Sequence, residues 1–188
     1  MKQKLLHKLN KRQGFSLTEM LATVLIMGFV GIIITTGAAT VQRVYRKVVA
    51  HANAQTALTT TITLMKDQLA FADPESITVS GTTISFQNLN SGEQTITLNP
   101  GTASGPANRG FTLTYTAGDE TGTSGTTLPL LSDSAITSDL CVCFDTDGGF
   151  TWDPTTKVIT VTNLVAKDTR TDAVQAHASF KVLLVNGK

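Results

Sequence analysis

One uninterrupted apolar run limits what this chain can become more than any other feature. Met20–Val41 carries no charged residue, and between Leu17 and Val41 the only charge is Glu19. About 20 apolar residues in a helix are enough to cross the hydrocarbon core of a bilayer. The segment before the run, Met1 to Gly14, holds Lys2, Lys4, Lys8, Lys11 and Arg12 and no acidic residue. Cationic residues on one flank hold that flank in the cytoplasm. The body of the chain is therefore expected on the far side of the membrane.

The order of these parts differs from that of an ordinary secretory signal, in which a short apolar core precedes a small-residue cleavage site. Here the small residue, Gly14, precedes a long apolar run, so a cut after it removes the charges and keeps the helix. The residues Gly14-Phe15-Ser16-Leu17-Thr18-Glu19-Met20-Leu21 resemble the class III signal of type IV pilins and pseudopilins. The resemblance covers roughly the first quarter of the chain. It implies that a prepilin peptidase cuts between Gly14 and Phe15 and that the new Phe15 amine is methylated.

Glu19 needs a reason of its own, because a carboxylate inside a membrane segment costs a few kcal/mol. It can snorkel at the interface, being close to the leader. In the functional reading it meets a positive group when subunits pack, and an opposite charge offsets the desolvation of a buried acid. The resemblance implies that this group is the Phe15 amine of a neighbouring subunit, which makes Glu19 an assembly residue.

Four segments follow: a leader at 1–14, a membrane or filament-core half-helix at 15–41, an amphipathic half-helix at 42–72, and an extracytoplasmic β-rich domain at 73–188. No proline falls between Phe15 and Phe71, and Asp73-Pro74 supplies the stop. At 1.5 Å per residue such a helix is on the order of 80 Å long. Its first half is apolar all round. In its second half Val41, Val44, Tyr45, Val48 and Val49 begin a stripe that Leu58, Ile62, Met65 and Leu69 continue at helical spacing, and this stripe is expected to pack on a sheet. Gly28, Gly31 and Gly37 interrupt the apolar half, either for close helix packing or as points of local unwinding. Arg43, Arg46, Lys47 and His51 read as a solvated face just beyond the span, with lipid headgroups or inter-subunit contacts as alternatives.

Beyond Glu75 the period shortens to that of strands. Ser76–Ser80 and Thr82–Gln87 flank a tight turn at Gly81. Gln94–Leu98, Phe111–Thr116, Leu140–Phe144, Phe150–Trp152, Lys157–Asn163 and Ser179–Val185 complete a mostly antiparallel set. Asn99–Asn108 and Ala117–Thr127 are expected as loops. The fold class is α+β, a long helix whose second half lies on an antiparallel sheet, and the pilin resemblance implies the same arrangement.

Cys141 and Cys143 point to one face of their strand, while Leu140, Val142 and Phe144 take the other, so the strand is expected to be central. The cysteines read as two buried free thiols, small apolar residues in effect. A disulfide between them is not expected, because it is strained on an extended strand; such a bond or a metal site is the alternative. Asp145-Thr146-Asp147-Gly148-Gly149 reads as a hairpin turn. The alternative is a calcium loop with Asp145, Asp147 and Asp153 as oxygen ligands.

The net charge of +1 offers no general patch for nucleic acid. His7, His51 and His177 stand apart in sequence, and no triad, metal-hydrolase helix or phosphate loop has its spacing here, so no enzymatic activity and no obligate cofactor are expected. Two function classes remain. One is a structural subunit of a type IV pilus-like filament or secretion pseudopilus. Its implied partners are the prepilin peptidase, other pilin or pseudopilin subunits, an inner-membrane platform protein, an assembly ATPase and membrane lipid. The other is a monomeric membrane-anchored domain for binding or adhesion, which needs neither a cleavable Gly14 nor Glu19.

Overall fold

The computed structural model describes residues 16–88, 94–102, 109–116, 125–132, 136 and 139–185. Gly14 and Phe15, and with them the leader, lie outside these residues, as does most of the expected loop at 117–127. The chain divides into two units, Met1–Lys47 and Val48–Lys188.

Helix α1 spans Leu17–Ala70. Its hydroxyls find partners on its own backbone. Thr23 donates to the Met20 carbonyl at 2.8 Å, Thr35 to Gly31 at 2.5 Å, Thr36 to Ile32 at 2.9 Å and Thr40 to Thr36 at 3.0 Å. Such back-bonding lets a polar residue sit on an apolar helix without an orphaned donor. The helix ends where the sequence places the stop. The Asp73 N–H donates to the Gln87 carbonyl at 2.8 Å, and the Ser76 N–H closes a turn on the Asp73 carbonyl at 3.1 Å. Pro74 occupies the second position of that turn, where its fixed φ is favourable.

Within the second unit, α1 buries Ala54, Ala57, Leu58, Thr61, Met65 and Leu69, a 3–4 spacing that keeps one face inward. The expected stripe therefore starts later than its apolar residues do. Val41, Val44, Tyr45 and Val48 are exposed, and burial begins at Ala54.

The strands form two antiparallel sheets where the sequence suggested one. The first is a meander of β1 (Thr78–Ser80), β2 (Thr83–Gln87), β3 (Thr95–Asn99), β4 (Thr112–Thr116) and β5 (Thr126–Pro129), paired in that order. Gly81 takes φ +59° at the β1–β2 turn, a conformation that costs an L side chain about 1–2 kcal/mol. Ile84, Phe86, Ile96, Leu98 and Leu113 face the core. The other face is a hydroxyl ladder, with Ser85 and Thr97 3.0 Å apart and Thr114 and Thr127 3.2 Å apart. Strand β5 was not expected: it lies at the edge of a threonine-rich stretch, and all four of its residues are exposed, so no alternation marks it.

The second sheet holds β6 (Leu140–Asp153), β7 (Val158–Asp168) and β8 (Val174–Leu183), with β7 central. Two expectations are corrected here. The cysteine strand is an edge, and Asp145–Gly149 is no hairpin turn. β6 runs through it, with a register shift between Phe144 and Gly149, and the chain reverses later, at Pro154–Lys157. The unpaired side of β6 is tied to its surroundings rather than left open. The Val142 N–H donates to Arg109 at 2.7 Å and the Phe150 N–H to Gly81 at 3.2 Å. Phe144 stacks edge-on against Phe111 and Phe150, with centroids 5.3 and 5.1 Å away.

Candidate functional site

The first candidate is the start of α1. Every residue from Ser16 to Val49 is exposed, and α1 is the one helix among the described residues long and apolar enough to cross a membrane. An added Cβ at Gly28, Gly31 or Gly37 meets nothing within 4 Å, so these glycines answer no packing demand within the chain. Glu19 lies in the first turn. The Glu19 and Met20 N–H groups donate to the Ser16 carbonyl at 2.9 and 3.1 Å, which makes Ser16 the N-cap and Glu19 the third helical residue. Ser-x-x-Glu is the spacing of a capping box, a signal in the sequence that the membrane argument passed over. The Ser16 hydroxyl, however, pairs with the Thr18 hydroxyl. An acid in the first turn is favoured by the helix dipole, so Glu19 has a local role beside any role in assembly.

Arg43, Arg46 and Lys47 are exposed on α1. His51, from the same helix, is brought to His177 of β8. Both line a groove of about 310 Å³ with Gln55, Leu58, Thr59, Gln175 and Ala176, and the Gln55 amide lies 3.0 Å from the His51 ring nitrogen. Nothing in the local sequence places these residues together.

The second candidate is the cysteine segment of β6. Cys141 and Cys143 are both free, the first buried and the second half-buried. The neighbouring Cys143 sulfur and burial raise the pKa of Cys141. The Cys141 thiol beside it lowers the pKa of Cys143; burial opposes this, the Lys167 ammonium assists, and the Asp172 and Asp145 carboxylates oppose. Lys167 of β7 pairs directly with Cys141, and its Nζ lies 3.1 Å from Asp145 and 3.8 Å from Asp172. The pairing with Lys167 holds the Asp145 carboxyl below its usual range.

The three aspartates proposed for calcium are spread along β6 instead of ringing one turn. Asp145 is engaged by Lys167. Asp153 accepts the Thr156 hydroxyl at 2.7 Å and the Thr155 N–H at 2.9 Å, capping the β6–β7 reversal. Asp147 is exposed. Among the described residues no group of three His, Cys, Asp or Glu side chains is placed to hold a metal ion. No family model, curated protein or solved structure matches this chain.

Proposed function

We propose that this chain is the precursor of a structural subunit of a type IV pilus-like filament or secretion pseudopilus. It is cut after Gly14, methylated at Phe15, held in the membrane by the first half of α1, and then polymerised with like subunits by a platform protein and an assembly ATPase. The observation that carries this reading is the character of α1. Its first half is exposed and apolar, its hydroxyls are bonded internally, and Glu19 is its single charge up to Val41. A surface of that kind requires lipid or copies of itself around it. In lipid Glu19 can snorkel at the interface; among packed copies it calls for a cation, and the amine freed at Phe15 supplies one.

A tethered monomer would use the same helix with no need of processing. Mass spectrometry of the cellular protein separates the two readings. The filament reading expects a chain beginning at methylated Phe15, with Glu19→Ala still cleaved and absent from sheared filaments. A cellular form that begins at Met1, or is cut beyond the helix, overturns it, and so does normal incorporation of the Glu19→Ala protein.

A further inference from the structure

The strand that carries Cys141 and Cys143 places two sulfurs in unequal settings on one face. Cys141 is fully buried, whereas Cys143, two residues on, is reachable from solvent. Lys167 starts opposite Cys141 on β7 and reaches Asp145, four residues along β6 from Cys141. Its side chain therefore runs along the face that Cys143 occupies, and its ammonium acts on both sulfurs. Asp145 and Asp172 sit beside that ammonium.

We propose that Cys141 and Cys143 form a thiol–disulfide exchange site, with Cys143 the entry sulfur, Cys141 the resolving sulfur, and a disulfide-bearing molecule the co-reactant. Cys143 has what an attacking thiol requires, namely access from solvent and a lysine side chain running along its face. Cys141 lacks access and can react only through Cys143.

In the first step the Cys143 thiolate attacks one sulfur of the co-reactant, forming a mixed disulfide and releasing one thiolate. In the second, Cys141 attacks the Cys143 sulfur and its proton passes to the departing second thiolate. Two electrons pass from the protein sulfurs to the co-reactant, which leaves as two thiols. Closure is within reach of the backbone. Residues two apart on an extended strand have Cα atoms about 6.6 Å apart, inside the roughly 4.4–6.8 Å that disulfides span and near its far end. A bond formed there is readily reduced again, so the site is reversible. This proposal stands independently of the filament reading.

The test uses the full-length protein in detergent micelles, with glutathione disulfide as the probe. Samples are quenched with iodoacetamide at intervals and mapped by peptide mass spectrometry. The mixed disulfide is expected first on Cys143 and is then replaced by a Cys141–Cys143 bond. Cys141→Ser is expected to stop at the mixed disulfide, and Cys143→Ser to react at least about tenfold more slowly, because a buried thiol with little thiolate attacks poorly. A first adduct on Cys141, a mixed disulfide on the wild-type protein that never closes, or no adduct at all on the folded protein overturns the proposal. So does a Cys143→Ser rate equal to the wild-type rate. The wild-type time course alone decides the matter if a variant does not fold.

Discussion

The Val185 N–H donates to the Ala70 carbonyl at 2.9 Å. One of the last four carbonyls of α1, which the helix itself cannot satisfy, is thus closed by the chain just past β8. The contact ties the end of the helix to the end of the second sheet, and nearby Lys66 holds its ammonium 5.4 Å from the Phe180 ring.

This bond is a backbone bond, and the Val185 side chain is exposed. Val185→Pro removes the donor and is expected to cost about 1 kcal/mol or somewhat more, with Val185→Ala close to neutral. Urea unfolding of the two variants in parallel checks the expectation. Equal midpoints would show that the bond contributes nothing.

Met65 is fully buried on the inward face of α1. Met65→Ala is expected to lose about 2–5 kcal/mol, from lost transfer energy and the cavity left behind. Val44→Ala, on the exposed stretch of the same helix, should leave the unfolding of the globular unit unchanged. A thermal melt of the β-rich unit within the full chain distinguishes them, and a large shift from Val44→Ala would place the boundary of burial wrongly.

Gly149 closes the irregular stretch of β6 against Gly81. A Cβ added there would lie 2.7 Å from the Gly81 carbonyl oxygen, a backbone atom with little room to move. Gly149→Ala is expected to cost about 1–3 kcal/mol and to weaken the bond from Phe150 to Gly81. Faster hydrogen exchange at the Phe150 amide reports the second effect. Unchanged protection there would mean that the strands yield without cost.

Asp168 accepts the Arg170 N–H at 2.8 Å and the Thr171 N–H at 3.0 Å, and these donors hold its carboxyl below the usual range. A depressed folded pKa stabilises the protein at pH above the unfolded value, about 3.9. That contribution is lost as pH falls through the folded value. Asp168→Asn removes the titration, so its unfolding midpoint should fall less steeply than that of the wild type as pH drops below about 4. Parallel acid slopes would exclude this carboxyl as a source of acid sensitivity.

Where the information was local, the sequence alone was sufficient. Helix α1 was legible because each residue from Leu17 to Ala70 carries its own propensity and period, and Asp73-Pro74 stops it chemically. The Gly81 turn was legible because a positive φ selects glycine. What waited for the tertiary structure depended on partners distant in the chain. The division into two sheets, the edge position of β6, the continuation of that strand through Asp145–Gly149, and Lys167 beside the cysteines are set by backbone pairings, and the meeting of His51 with His177 by the packing of α1 on β8. Cross-strand hydrogen bonds leave no trace in the residues that make them. A Gly-Gly pair flanked by acids has the same composition whether it turns the chain or bulges within a strand, and only the register with β7 decides between them.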